Sequence, residues 1–156
     1  MDEFNPDMIS LSGWLKLTVG LDVRKAVNIH PGLIPGRGEH GEFGGLGLYG
    51  KNVHIAAIKA FHQGRITQSG VTIHFANEKY DEGPIIWRMP VLIREEDTPE
   101  SLANRVNQVE RAWQSHVINL VANRQVILRG EPKNWEVTAH MSLKNFPGIQ
   151  ATAWFT

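Results

Sequence analysis

Asn28, His30 and Asp81 are the residues of this sequence whose types and spacing could do chemistry. Asn28 and His30 lie two positions apart in NIHPGLIP (28–35), so both side chains point to the same side of an extended segment. Asp81 lies in YDEGP (80–84), and a carboxylate near a histidine stabilises the charged form of the imidazole. An amide donor beside a cationic donor suits a transition state in which a carbonyl oxygen gains negative charge. The pattern therefore makes these three residues candidate catalytic residues for acyl transfer.

The attacking atom of such a reaction is expected to come from the substrate, as an amine. The chain contains no cysteine and no GxSxG motif that would present a serine nucleophile. A plain structural interpretation stays open at this stage, because NxHP also suits a capped turn and YDEGP has ordinary turn chemistry.

Metal and phosphate-loop chemistry have weaker support in the sequence. His30, His40, His54 and Asp81 could be imagined as ligands, but their spacing matches no motif of the HExxH kind. The glycine-rich stretch contains no GxxxxGK[ST], and its GEFGGLG segment (41–47) has no regular GxGxxG and precedes a predicted helix without closely following a strand. We therefore expect no metal cofactor.

Composition narrows the class of partner. The 156 residues include 16 Lys+Arg and 16 Asp+Glu, so no net charge attracts the chain to nucleic acid or to a membrane surface. No apolar stretch is long enough to span a bilayer, and MDEFNPDMISLSGW lacks the pattern of a signal peptide. We expect a globular, cytoplasmic protein with no nucleic-acid or membrane partner.

Strands and helices alternate in a way that predicts an α/β fold. The predicted strands cover 7–13, 25–29, 69–77 and 85–93, and the predicted helices cover 52–64 and 98–125. The second helix begins with Thr98 as N-cap and Pro99 at the first helical position. Its apolar stripe comprises Leu102, Val106, Val109, Trp113, Val117 and Leu120.

The candidate residues fall where such a fold places its ligand sites. Asn28, His30 and Asp81 lie at or just after the ends of predicted strands, and open α/β sheets bind ligands at those ends. Gly32–Gly50 is predicted to be a long functional loop. His54 and His74 are two further residues that could contribute to a substrate loop.

The tail of the chain differs in character from the rest. Segments 135–143 and 149–155 both have a strand-like pattern and are predicted to form a β-hairpin. We therefore divide the chain into a catalytic and ligand-binding domain over 1–130 and a C-terminal extension over 131–156.

Four segments together resemble a known family. NIHPGLIP, GLYGKNVHIAAIKA, SGVTIHFANEKYDEGPII and DTPESLANRVNQVE follow the order and spacing of the phosphoribosylglycinamide formyltransferases, and more broadly of the folate-dependent formyltransferases. The resemblance covers roughly residues 5–130. It implies the C-terminal part of a Rossmann-like fold, an open and mostly parallel sheet with flanking helices. It also implies transfer of a formyl group from 10-formyltetrahydrofolate to an amine, such as glycinamide ribonucleotide, in purine synthesis.

The resemblance also assigns roles to residues. Asn28 and His30 would stabilise the tetrahedral oxyanion, while Asp81 would hold His30 charged and help to move the proton. The folate pocket maps onto Trp14, Leu15, Lys16, Leu17, Ala76, Asn77 and Glu78. Two alternatives remain beside the transferase: a hydrolase of 10-formyltetrahydrofolate, and an inactive folate-binding protein.

The sequence departs from the family pattern in two places. The glycine-rich turn that opens the family fold and holds the substrate phosphate has no counterpart here, and the loop over 36–47 is longer than usual. The first strand is therefore expected to leave a sheet edge with unpaired backbone groups. We expect the C-terminal hairpin (about 135–155), a second copy of the chain or a partner chain to cover that edge.

Overall fold

The structure is a computed structural model that describes residues 6–35, 48–151 and 153–155. Its elements in chain order are β1 (Ile9–Leu11), β2 (Ala26–His30), α1 (Lys51–His62), β3 (Gln68–Phe75), β4 (Ile85–Leu92), α2 (Pro99–Ala122), β5 (Val126–Arg129), β6 (Glu136–His140), a 3₁₀ turn (Met141–Leu143) and β7 (Ala153–Phe155). The loop over 36–47, including His40, lies outside the described residues. Neither α1 nor α2 is long and apolar enough to cross a bilayer.

The main sheet has the order β1-β2-β3-β4, with helices packed against it, and the predicted α/β class is confirmed. The expected parallel pairing holds for β1 with β2, whereas β2–β3 and β3–β4 pair in antiparallel fashion. Residues 76–84 are too short to carry a crossover, so β4 must run back along β3. The described part of the sheet is therefore mixed.

The register of this sheet aligns the residues of the candidate site. Asn28 of β2 lies opposite His74 of β3, and His30 lies opposite Thr72. Thr72 in turn lies opposite Arg88 of β4. Because residues paired across strands project from the same face, these polar side chains share one side of the sheet.

The core lies between the sheet and α2, and it includes Ile73, Phe75 and Trp87 of the strands. The predicted stripe of α2 faces it: four of its members are buried and Val109 and Trp113 are partly buried against it. The helix begins as predicted, because the Thr98 side chain accepts a hydrogen bond from the Ser101 backbone N–H in a capping box.

Asp97, just before this cap, is a buried carboxylate whose ionisation stabilises the fold. It forms an ion pair with Arg105 and accepts hydrogen bonds from the backbone N–H of Arg94 (2.8 Å) and the hydroxyl of Ser101 (2.7 Å). Burial opposes its ionisation, but these hydrogen bonds and the charge of Arg105 outweigh burial and hold the pKa of Asp97 below its ordinary value.

Replacing Asp97 with asparagine is expected to lower the free energy of unfolding at neutral pH by about 2 kcal/mol. A carboxyl with a lowered folded pKa contributes stability that is complete above about pH 5 and is lost as the pH falls through the folded pKa. The difference between wild type and Asp97→Asn should therefore shrink in acid. Urea unfolding of the wild type and of Asp97→Asn, at neutral pH and in acid, checks this prediction. A difference in the free energy of unfolding that grows in acid would contradict it.

The tail forms a second sheet of order β5-β6-β7. It contains a hairpin, but its strands are β5 and β6, which pair antiparallel around the turn at Gly130. The segments predicted to form the hairpin contribute β6 and β7, and these pair in parallel. Residues 141–152 between them are long enough for a crossover, which permits this arrangement. The domain boundary placed at residue 130 falls within the β5–β6 turn and stays a prediction.

The C-terminal segment lies at the opposite edge of the main sheet from the one expected. The backbone N–H of Arg88 donates to the carbonyl of Gly148, and the N–H of Gln150 donates to the carbonyl of Ile86, both at 2.9 Å. The expectation that the tail covers β1 is therefore wrong, because the tail covers part of β4 instead. Among the described residues β1 has only β2 as a strand partner. A second copy or a partner chain at β1 stays a prediction.

Candidate active site

The structure brings Asn28, His30 and Asp81 together at the end of β2. His30 Nδ1 lies 3.3 Å from Asp81 Oδ2, and the two side chains are 3% and 10% exposed. The Asn28 side-chain amide donates to Asp81 Oδ1 at 3.3 Å. One carboxylate thus contacts both the imidazole and the amide, and little water reaches it, which strengthens the electrostatic interactions within the group.

His74 joins this group from β3. Its Nδ1 lies 2.9 Å from the carbonyl of Phe75, which can only accept, so Nδ1 carries a hydrogen. In the neutral tautomer Nε2 is then the acceptor, and the amide of Asn28 donates to it at 3.2 Å. Asn28 Nδ2 therefore serves His74 and Asp81 together. The structure places His74 on a strand rather than on a substrate loop.

The turn that carries Asp81 is built for close approach to β3. Asp81 adopts a left-handed backbone conformation with φ 55°. A Cβ on Gly83 would lie 1.6 Å from the carbonyl oxygen of Phe75, so only glycine fits there. The N–H of Phe75 donates to the carbonyl of Pro84 at 2.9 Å, which fixes the return of the chain to β4.

A cleft with a volume of about 160 Å³ opens beside these groups. Six of the seven predicted folate-pocket residues line it: Trp14, Leu15, Lys16, Leu17, Ala76 and Asn77. Trp14 and Leu15 are 53% and 56% exposed, and exposed apolar side chains around a concave surface mark a ligand site. Glu78 is not among the lining residues; its carboxylate accepts a hydrogen bond from the backbone N–H of Gly20 at 3.5 Å.

Tyr80 and Glu110 are two lining residues that the sequence analysis missed. The hydroxyl of Tyr80 accepts a hydrogen bond from the backbone N–H of Leu17 at 3.1 Å, so it ties the segment over 14–17 to the turn of Asp81. Glu110 reaches the cleft from α2, and burial raises the pKa of its carboxyl, an effect that the charge of Arg111 partly offsets. For Tyr80 the available signal in the sequence was its position next to the candidate Asp81. For Glu110 the sequence offers no signal, because its place at the cleft depends on the packing of α2.

His54 lies in α1, not on a loop, and lines a second groove between α1 and α2. Asn104, Asn107 and Glu110 of α2 also line this groove, and Glu110 belongs to both cavities. His54 is 5% exposed, and its Nδ1 has no hydrogen-bond partner among the residues described. Burial lowers the pKa of His54, and the charge of His30 lowers it further.

Replacing His54 with glutamine is expected to make the fold less sensitive to mild acid. Because the folded pKa is lowered, the unfolded chain takes up a proton below about pH 6.5 that the folded chain resists, and the wild type loses stability there. Glutamine keeps a polar group without that titration. Denaturant unfolding at about pH 7.5 and about pH 5 checks the prediction. An equal loss of stability in both proteins would count against it.

Fold and site together define an α/β protein with an Asn–His–Asp group at a strand end, in which His30 is buried and Asn28 and Asp81 are partly buried beside the cleft. Within the described ranges no three His, Asp or Glu side chains form a group that could hold a metal ion.

The family of the chain follows from comparison with known proteins. A family model described as formyl transferase matches residues 1–118, so the chain belongs to the formyl transferase family. A chloroplastic phosphoribosylglycinamide formyltransferase of Arabidopsis thaliana is 37% identical over 80% of this chain and 40% of its own length. A trifunctional purine biosynthetic protein adenosine-3 of Bos taurus is 32% identical over 82% of this chain and 12% of its own.

A solved structure supports the same fold. The phosphoribosylglycinamide formyltransferase of Bacillus halodurans superposes with a TM-score of 0.56 at 32% identity, over 76% of this chain and 56% of that one. The chain thus spans well under two thirds of the length of each of these relatives.

Proposed function

We propose that this chain transfers a formyl group from 10-formyltetrahydrofolate to an amine, with an acceptor resembling glycinamide ribonucleotide. The observation that carries the proposal is the contact of Asp81 with both His30 (3.3 Å) and Asn28 (3.3 Å) at the mouth of a cleft. Membership of the formyl transferase family and the names of the similar proteins support the same reaction, and the bovine name supports a place in purine synthesis.

The reaction requires a hydrogen-bond donor at the formyl oxygen and a route for one proton. The acceptor nitrogen attacks the formyl carbon, the C=O bond becomes C–O⁻, and the C–N bond to the folate then breaks. His30 as imidazolium is a donor to the oxyanion, and Asn28 joins it by turning one amide hydrogen away from His74 or Asp81 when the substrate is bound. Asp81 stabilises the imidazolium and, directly or through water, takes the proton that the amine loses. Asp81, directly or through water, then passes that proton to the folate nitrogen as it leaves, and the C–O⁻ returns to C=O, so Asp81 is again a carboxylate at the end of the reaction.

The cleft suits a donor with a flat aromatic end. Trp14, Leu15 and Leu17 offer exposed apolar surface, and the polar groups of Lys16 and Asn77 lie on the same rim. Such a mixture of apolar lining and a few polar groups is typical of cofactor-sized sites. We assign the folate to this cleft.

The second groove suits the acceptor. It meets the first cleft at Pro31, Gly50 and Glu110, all of which line both. Carboxylate and amide groups of α2 face it, and these are partners for amine and hydroxyl hydrogens. An acceptor bound there would present its amine toward His30, which directly precedes Pro31.

One assay tests the proposed function. The protein is incubated with 10-formyltetrahydrofolate, with and without glycinamide ribonucleotide, and the tetrahydrofolate product is followed by absorbance. Turnover that depends on the acceptor supports the transferase. Turnover without acceptor would show a hydrolase, and folate binding without turnover would show an inactive binding protein; either result overturns the proposal.

The cytoplasmic location and the oligomeric state stay predictions. Size-exclusion chromatography with light scattering tests the second, and a monomer at micromolar concentration would contradict a homo-oligomer.

A further inference from the structure

A row of side chains crosses the main sheet from His30 to the C-terminal segment. His30, Thr72 and Arg88 occupy opposing positions on β2, β3 and β4. The fully buried hydroxyl of Thr72 donates to the carbonyl of Gly32 at 2.7 Å and accepts from the N–H of Ile34 at 3.0 Å. Thr72 thus clamps the turn that begins directly after His30.

Arg88 holds the same turn from the next strand. Its Nη1 donates to the carbonyl of Ile34 at 3.1 Å, so side chains of β3 and β4 bind both backbone groups of Ile34. Leu33 packs over Gly70 of β3, where a Cβ would lie 2.7 Å from Leu33 Cδ2. The turn over 31–34 therefore cannot move relative to the sheet without breaking these contacts.

Gln150 holds Arg88 in turn. Its Oε1 accepts from Nη2 (2.9 Å) and Nε (3.3 Å) of the guanidinium, and its amide donates to the carbonyl of Gly148 at 3.0 Å. Gly148 has φ 80°, and a Cβ there would lie 2.4 Å from the carbonyl oxygen of Arg88. The segment over 147–150 is thus fitted closely to β4.

We propose that Arg88 and Gln150 are positioning residues for His30, so that the C-terminal segment over 147–150 forms part of the catalytic apparatus. Both act through the turn over 31–34 and touch no substrate. The inference rests on the proposed function only for its kinetic test. Displacement of a catalytic group by a fraction of an ångström to one ångström is enough to slow a reaction strongly.

Arg88→Met and Arg105→Met form a matched pair for the first experiment. Arg105 Nη1 also donates to a backbone carbonyl of the chain, that of Leu92 at the far end of β4 (2.8 Å). Arg88→Met is expected to lower kcat for formyl transfer about tenfold with little change in the KM for the folate. Arg105→Met should leave kcat close to the wild-type value, although we expect it to melt at a lower temperature than the wild type.

Gln150→Ala and Gln150→Glu form the second pair and serve if Arg88→Met does not fold. Glutamate keeps an acceptor oxygen for the guanidinium, although it loses the donor to Gly148, so Gln150→Glu should retain most of kcat while Gln150→Ala loses several-fold. Equal losses in the two Gln150 variants, or equal effects of the two arginine variants, would overturn the proposal.

Ring resonances of His30 separate this proposal from the proposed function. In ¹H–¹⁵N spectra at fixed pH, assigned with His30→Gln, the imidazole signals should shift in Arg88→Met and Gln150→Ala but not in Arg105→Met. Such shifts support positioning even in a protein without formyl-transfer activity, since they depend on the fold alone. Unchanged His30 signals in both variants would refute it.

Discussion

Asp81→Asn is expected to lower kcat for formyl transfer by about 10²- to 10⁴-fold while the protein stays folded. The carboxylate of Asp81 lies 3.3 Å from His30 Nδ1 and is in direct contact with that imidazole. Asparagine has nearly the same shape and can still accept from Asn28, but it neither stabilises the imidazolium nor takes a proton. Steady-state assays with saturating folate and acceptor measure the loss, and circular dichroism verifies the fold.

Asp97→Asn is the matched control for Asp81→Asn. Asp97 is also a buried aspartate in contact with a cationic partner, Arg105, and it lies outside both cavities. Asp97→Asn should lower the free energy of unfolding but leave kcat near the wild-type value. If Asp81→Asn retained the wild-type rate, or if both variants lost activity alike, the role of Asp81 in proton transfer would be wrong.

Gly83→Ala is expected to destabilise the fold by about 3 kcal/mol and to lower activity about a hundredfold. The added Cβ would lie 1.6 Å from the backbone carbonyl oxygen of Phe75 and 3.0 Å from Nδ1 of His74. A strand carbonyl in a sheet has little freedom to withdraw, so the turn must move, and Asp81 moves with it. Thermal unfolding and the formyl-transfer assay measure the two effects.

Gly64→Ala separates steric overlap from backbone strain. Gly64 has φ +67°, and no atom lies within 4 Å of a Cβ placed there. Alanine at this position costs only the strain of the left-handed conformation, about 1–2 kcal/mol, and should leave catalysis unchanged. A Gly83→Ala variant as mild as Gly64→Ala would show that the turn can yield and would contradict the close fit at Phe75.

Local sequence patterns predicted the elements well. Helix α2 was predicted from the Thr98 cap and an apolar stripe of helical period, and the structure has it over Pro99–Ala122. These signals act within a few residues, so they are readable from the chain itself. Pro90 lies in β4 at the edge of the described sheet, a position that suits a residue unable to donate within a ladder.

Long-range pairing was not readable in the same way. The strand patterns of the tail were recognised, but not that β6 pairs with β5 and β7 or that the segment over 147–150 seats on β4. Hydrophobic alternation specifies that a segment is a strand without specifying its partner. The choice depends on packing of the whole tail against α2 and Trp87.

The candidate site shows the same division. The two-residue spacing predicted that Asn28 and His30 share one face of the strand, and in the structure both side chains contact Asp81. His74 enters only through the register of β2 with β3, and Arg88 only through that of β3 with β4. Residues that depend on register carry no signal in a single sequence, whereas residues that depend on spacing along one strand do.

The left-handed backbone of Asp81 separates two kinds of selection that usually act together. Glycine, asparagine and aspartate adopt φ 55° most readily, so glutamate keeps the charge but strains the turn. In a library randomised at position 81, clones sorted for folded protein should be enriched in those three residues, whereas clones sorted for activity should retain aspartate alone. Inactive descendants of this protein would accordingly drift to asparagine or glycine at position 81, and either residue there would indicate that the chain is still selected to fold but no longer to catalyse.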